Sequence, residues 1–251
     1  MAPSQSSTAI MLRTRPYGDI DLIATFLTRD FGKLTGIAKG AKHSRRRFVN
    51  CLEAFARVRV FFRLKAGATL AFLERCELLH SGFGMAAPKR FAYGSYLLEL
   101  VDLLTHEADP IADVFDLFEE ALMRIETGPV TSAFLRAFEM HLLGALGYAP
   151  PLRQCARCTA PFGPAQAAFY DAHEALLLCR TCGALGPQTQ KFSTDTLLAL
   201  ADLQELPLEQ NAAVRLAPET TREAALLAGH LIANHLPRPL RSLELIASLG
   251  R

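Results

Sequence analysis

The chain has 251 residues, half of them hydrophobic and 21% charged, a globular composition that excludes a disordered or low-complexity protein. No apolar run approaches the ~20 residues of a membrane span, and residues 1–8 lack the charged start and apolar stretch of a secretory signal, so a cytoplasmic location is expected. The net charge of +2 conceals a split: residues 1–85 carry 14 Lys and Arg against 6 Asp and Glu, and residues 86–251 carry 13 against 19. Either one half meets a polyanion or the imbalance is a chance property of two solvated surfaces.

The first 80 or so residues read as β-structure. Ile10, Leu12 and Thr14 alternate with Met11, Arg13 and Arg15, the period of two of a half-buried strand. Tyr17-Gly18-Asp19 is a turn signal, followed by an apolar, β-rich run over residues 22–28. Asp30-Phe31-Gly32-Lys33 reads as the next turn, leading into residues 34–38. Residues 55–62 alternate again, and residues 69–79 complete the set after a turn near Gly67. Five short strands with no long helix between them predict a five-stranded OB-type barrel.

After Pro88 the apolar period becomes helical. Leu97, Val101 and Leu104 share a face, as do Ile111, Val114, Phe115, Phe118, Leu122 and Ile125. Phe134, Phe138, Leu142 and Leu146 recur every four residues, with Gly128-Pro129 before them and Gly147 placed as a cap. Pro150 and Pro151 stop that run. Helices resume near Ser193, a candidate cap for Leu197, Leu200 and Leu203, and two more cover residues 224–236 and 242–249. The predicted class is therefore α+β: an OB-type barrel over residues 1–82, then a helical domain over 83–150 and 191–251 with an insertion at 151–190.

That insertion carries Cys155-x-x-Cys158 and Cys179-x-x-Cys182, separated by 20 residues. Each pair can place two thiolates on one ion, and a hairpin through residues 168–170 and 175–178 brings the turns together as a zinc-ribbon-like element. Four sulfur ligands leave no open position, so one structural Zn²⁺ is expected. Disulfides do not suit a cytosolic chain. His173, in the expected hairpin turn, reads as a surface histidine, and Cys51 and Cys76 as small buried apolar residues.

Residues 39–47 concentrate Lys39, Lys42, Arg45, Arg46, Arg47 and His43, and a loop of this kind flanks the ligand face of an OB-fold. Lys33 joins it from the preceding turn and Arg13 and Arg15 from the first strand. In residues 55–61, Arg57 and Arg59 share a face with Phe55 and Phe61, opposite Ala56, Val58 and Val60. Cations beside aromatics suit single-stranded nucleic acid, the charge following phosphates and the rings stacking on bases. The strand face stays open between that use and an ordinary polar face, and nothing in it specifies DNA over RNA.

The run Leu12-Arg13-Thr14-Arg15-Pro16-Tyr17-Gly18-Asp19-Ile20-Asp21, then Thr28 to Gly32-Lys33-Leu34, then Lys39-Gly40-Ala41-Lys42, resembles the amino-terminal OB domain of the RecO family. Later landmarks agree in order: Tyr148-Ala149-Pro150 before the first cysteine pair, and His235-Leu236-Pro237-Arg238-Pro239-Leu240-Arg241-Ser242 near the end. The resemblance covers nearly the whole chain. It implies a non-enzymatic, nucleoid-associated mediator that binds single- and double-stranded DNA, anneals complementary strands, pairs with RecR and helps load RecA, with RecF as a further member of that assembly. It also implies contact with the acidic, apolar carboxyl-terminal tail of single-stranded DNA-binding protein. Arg136, with Phe134 and Phe138 around it, fits the cation that such a tail needs, and an exposed helical arginine paired with Glu139 or with the neighbours of Met140 is the equal alternative. Some family members lack the cysteine quartet, which implies that zinc supports the fold.

Two other classes remain. A metal-dependent hydrolase or nuclease needs an open zinc position or a carboxylate cluster, for which only Asp19, Asp21 and Asp30 lie near the basic segment; an RNA- or ribosome-binding OB/zinc-ribbon protein needs the same surface as the first reading. No Gly-rich phosphate loop is present, and neither a membrane nor a small-molecule substrate is expected.

Overall fold

A computed structural model describes residues 2–183, 189–211 and 213–248. The chain divides into two compact units, residues 1–128 with 240–251, and residues 129–239.

The first unit is built on strands β1 (Gln5–Tyr17), β2 (Asp21–Thr28), β3 (Gly32–Ala38), β4 (Arg57–Arg63) and β5 (Ala71–His80). They close in the order β1-β2-β3-β5-β4, with β4 returning to β1, and only β3 and β5 run parallel. Closure leaves no sheet edge, so the expected five-stranded, OB-like barrel is present. The 13 residues of β1 make it possible: Gln5–Ile10 pair with β4, and Ala9–Tyr17 pair with β2 across a bulge at Met11/Arg13. The inward positions Met11, Phe26, Leu34, Val58, Val60, Phe62 and Leu73 fill the barrel.

The link between β3 and β4 adds Phe48, Cys51, Leu52 and Ala56 to that core. It is therefore part of the barrel wall below its basic stretch, and Arg47 O accepts from Cys76 N of β5 at 2.8 Å. Here one sequence expectation is corrected. Phe55 precedes β4 in a left-handed conformation (φ 70°) and is buried, its ring edge-on to Phe91 at 5.9 Å. The outer face of β4 thus carries Arg57, Arg59 and Phe61, without Phe55.

Helices α1 (Pro88–Leu104) and α2 (Ala112–Thr127) belong to this unit, as does α8 (Ser242–Ser248). Pro88 opens α1 at a position where its missing N–H costs nothing. The last helix expected through Leu249 ends at Ser248; Leu249 lies outside the described residues. Cross-links from the barrel are ionic: Arg13 Nε to Asp102 at 2.9 Å, Arg29 forked onto Asp116 at 2.9 and 2.8 Å, and Arg57 to Glu119 at 3.1 Å.

Lys33 is the strongest of these ties. It is 9% exposed, and its ammonium donates to the carbonyls of Asp102 and Thr105, the latter at 2.7 Å, with the Asp102 carboxylate at 3.6 Å. Burial lowers its pKa, and Asp102 opposes that shift. Lys33→Ala strands those acceptors and is expected to destabilise the protein by about 3 kcal/mol in urea unfolding. A stability equal to wild type would show that the buried ammonium contributes nothing net.

In the second unit, α3 (Ser132–Ala145) is capped by Thr131, which accepts from Phe134 N at 3.1 Å, and its ends and faces are largely buried against α5 (Thr194–Glu205) and α7 (Pro218–Ala233). Gly147, at φ 79°, ends the α3 run as expected, and Tyr148 N reaches back to Leu143 O at 2.7 Å. Ser193 caps α5 by accepting from Asp195 N at 3.2 Å. The cysteine segment supplies β6 (Ala167–Asp171), β7 (Leu176–Leu178) and the short α4 (Arg180–Gly183); β8 (Thr189–Ser193) completes a sheet ordered β7-β6-β8, and α6 (Leu208–Asn211) follows α5. Residues 184–188 of the expected insertion lie outside the described residues.

Candidate nucleic-acid interface and metal centre

The ten cations expected to form one binding surface fall into three sets. Lys33, Arg13 and Arg57 are structural ties: Lys33 is buried, and the other two are paired with Asp102 and Glu119. Lys33 is thereby removed from any strand-contacting surface, because its ammonium is already surrounded by carbonyls. Sequence periodicity places it in a turn but cannot show which groups α1 brings to it.

A second set is organised by the loop itself. Lys39 pairs with Asp21 at 2.9 Å, Lys42 Nζ donates to Gly18 O and Asp19 O at 2.9 and 3.0 Å, and Arg47 donates to Lys39 O at 2.6 Å with its guanidinium over Phe48. The Gly40 N–H, followed by Lys39, holds the Asp21 carboxyl below its ordinary pKa, and Asp21 raises Lys39 in turn. The carbonyl contacts fix geometry without cancelling charge. Gly40 makes this turn at φ 65°.

Arg15, Arg45, Arg46 and Arg59 form the third set: exposed, with no ion-pair partner among the described residues. Arg15, Arg45 and Arg46 flank the β1–β2 turn and its bracing loop, since Lys42 N bonds Ile20 O at 3.1 Å. Arg59 lies on the outer face of β4, opposite Glu77 of β5. Next to it, Phe61 carries the Arg75 guanidinium flat on its ring, 3.4 Å from the centroid. The aromatic that sequence reading missed is Tyr17. It was legible only as part of a turn; its exposure beside these cations is a tertiary fact.

The carboxylates of the nuclease reading do not converge. Asp21 is held by Gly40 and Lys39, and Asp30 accepts from Ser7 Oγ at the far end of β2, roughly 25–30 Å away along an eight-residue strand.

The cysteines do converge. The four Sγ atoms of Cys155, Cys158, Cys179 and Cys182 lie within 4.8 Å of one another, and Cys158 and Cys179 are 3.7 Å apart. A tetrahedral ion with metal–sulfur bonds of about 2.3 Å needs sulfur pairs about 3.8 Å apart. The two turns share a backbone pattern, Thr159 N to Cys155 O and Gly183 N to Cys179 O, both 2.9 Å. Burial raises the Cys155 thiol, but backbone N–H groups of Cys179, Cys158 and Arg157 bring it down to about 6; Cys182, donating among its neighbours, is pushed up to about 12. His173 is exposed in the β6–β7 turn and outside the cluster. Arg157 ties the first turn to Cys182 O at 3.2 Å and to Glu174. Cys51 and Cys76 are core residues, and burial pushes Cys76 up to about 12, which makes it an unreactive thiol.

Arg136 is buried, its side chain 10% exposed, and is paired with Glu139, whose side chain is wholly buried. The pair with Glu139 is present, but the arginine is buried, not exposed as that alternative has it.

Fold and site together define an OB-like barrel protein with a helical unit and a four-cysteine, metal-compatible element. Residues 1–82 match the sequence profile of the recombination protein O N terminal domain, and residues 85–244 that of the C terminal domain; the chain belongs to the RecO family. It is similar to the DNA repair protein RecO of Syntrophus aciditrophicus (strain SB), 35% identical over 251 residues that cover 99% of this chain and 97% of the relative. Relatives of the same name occur in Anaeromyxobacter sp. (strain K), 36% identical with 97% and 96% covered, and in Geobacter metallireducens, 32% identical with 98% of each covered. Membership places the chain among DNA repair and recombination proteins.

Proposed function

We propose that this protein is a non-catalytic recombination mediator that binds single- and double-stranded DNA through the barrel domain, residues 1–82, and anneals complementary strands. The observation that supports this most directly is the group Arg15, on β1, with Arg45 and Arg46, on the loop after β3: none has a carboxylate partner among the described residues, and hydrogen bonds of Lys42 and Arg47 hold that loop in place. Strands repel each other, and a fixed cationic surface that accepts one or both lowers that cost without nucleotide hydrolysis. A structural zinc ion on Cys155, Cys158, Cys179 and Cys182 would cross-link the two turns of the ribbon-like element. Within this reading the protein partners RecR, contacts the tail of single-stranded DNA-binding protein and helps load RecA, with RecF in the assembly, in a cytoplasmic, nucleoid-associated role; the family resemblance is what supports these steps. In the tail contact, Arg136 would supply the cation in competition with Glu139.

The test is annealing of complementary oligonucleotides, bare and coated with single-stranded DNA-binding protein, with matched RNA strands alongside. Annealing of DNA faster than the spontaneous rate is expected. No acceleration, a preference for RNA, or cleavage in the presence of divalent metal would each overturn the reading.

Arg47 gives a separate check on the loop. Arg47→Ala removes the brace to Lys39 O and the contact with Phe48, so it is expected to lower stability by about 1 kcal/mol as well as weaken DNA binding. Arg45→Ala is expected to leave the unfolding midpoint in place. Equal midpoints for both variants would show that Arg47 braces nothing.

A further inference from the structure

We propose that the tip of the β1–β2 hairpin is a base-stacking wedge, in which the Tyr17 ring, flanked by Ile20, takes unpaired nucleobases while the surrounding cations hold their phosphates. This rests on the reading of the barrel as a nucleic-acid surface and names the part of the strand that it grips.

Three observations carry it. The first is exposure in an unusual place. Tyr17 is 53% exposed and Ile20 50%, one on each side of Gly18-Asp19, where turns ordinarily carry small polar residues. A lone exposed apolar side chain is commonplace; two at one tip, amid cations, are a feature to be explained.

The second is rigidity. Ile20 O accepts from Lys42 N at 3.1 Å, and Gly18 O and Asp19 O accept from Lys42 Nζ at 2.9 and 3.0 Å. Asp21 accepts from Gly40 N at 2.8 Å and pairs with Lys39. The backbone of the tip is therefore held from behind by residues 39–42. It projects: Gly18 turns at φ 61°, and a Cβ placed there would meet nothing within 4 Å. A side chain on a backbone held in place before binding loses less conformational entropy when a base stacks on it.

The third is the distribution of charge. Arg15 shares a strand face with Tyr17, two residues away, and Arg45 lies three residues beyond the tip-bound Lys42, at most about 11 Å along the chain. Six cations from residues 15–21 and 39–47 face two carboxylates. One of these, Asp21, is engaged with Lys39; the other, Asp19, is exposed at the tip itself. Asp19 repels a phosphate but not a neutral base. Phosphates are thus directed to Arg15, Arg45 and Arg46, and the group left to meet the tip is the base.

The chemistry suits strand annealing. A ring stacked on the face of a base leaves its pairing edge open to an incoming strand, whereas recognition by hydrogen bonds would occupy that edge. Bases inside a duplex are stacked on each other and offer no free face, so the wedge acts on single strands, gaps and frayed ends.

The experiment uses the full chain and three ligands of one length: a single strand, the same strand with abasic sites throughout, and a blunt duplex. Tyr17→Ala is expected to lower single-strand affinity about 5- to 100-fold, the range for loss of one base–aromatic stack, with no change in salt slope because no charge is lost. Tyr17→Phe and Tyr17→Trp are expected to restore binding, and Tyr17→Leu, which keeps bulk without a π-face, is not. On the abasic strand wild type and Tyr17→Ala are expected to bind alike. Unchanged single-strand binding by Tyr17→Ala, an equal loss on the abasic strand, or rescue by leucine overturns the wedge. If wild type binds no DNA, the underlying reading fails. If it binds intact and abasic strands equally, only the wedge fails.

Discussion

Replacing Arg45 and Arg46 together with alanine is expected to lower affinity for single-stranded DNA roughly 10- to 100-fold at low salt. The same change should flatten the dependence of log K on log salt by about 1.4, two phosphate contacts at about 0.7 each. Arg45 and Arg46 are set apart by what they do not touch. Neither has a carboxylate partner among the described residues, and both are exposed, so their counterions are released when a strand binds and nothing in the fold is lost when they are removed. Arg13→Ala and Arg57→Ala provide the contrast. Their guanidinium groups are spent on Asp102 and Glu119, so the slope should change by less than about 0.3 for either. An unchanged slope in the Arg45/Arg46 double variant, measured by titration over a range of salt, would remove the loop from the strand-contacting surface.

Elemental analysis is expected to find one zinc per chain, and its removal should unfold the ribbon-like element. Apparent binding energies of structural zinc are about 10–16 kcal/mol, comparable with the whole stability of a domain, about 5–15 kcal/mol. Nothing else in the element supplies that much: β7 has three residues, α4 has four, and no disulfide joins the cysteines. The effect should spread within its own unit. Tyr170 of β6 stacks on His230 at 5.4 Å and accepts from Asn234, and β8 runs directly into α5. Chelation, or Cys155→Ser, is therefore expected to lower the thermal midpoint of that unit by at least about 10 °C and to open the ribbon to protease. DNA affinity through the barrel should stay within about twofold. Protein free of metal yet equally stable with and without chelator would refute the structural role, and affinity falling together with the metal would place the ribbon in the binding surface.

The strands that alternate in the sequence became the barrel strands, and Val58 and Val60 turned inward as their period required. Ser193 and Gly147 cap as read, because capping depends on the residue and its immediate neighbours. The misreadings have a common source. Phe55 fits the alternation of β4 but falls in a left-handed turn before it, and β8, a polar Thr-Gln-Lys-Phe segment, carries too few apolar residues to announce a strand. Residues 39–47 read as a basic loop, and nothing in that run announced that Phe48, Cys51 and Leu52 just beyond it enter the core.

The cysteine spacing alone determined a four-sulfur cluster, and the run of Lys and Arg alone determined a basic segment; both are properties of residues close together in the chain. Which of those cations are free was decided only by folding. Asp102, Asp116 and Glu119 come from helices 62 or more residues away from their nearest partner, and a charge is available to a strand only after every such neighbour has been placed. Coulomb energy depends on distance in space, and sequence separation carries no record of it.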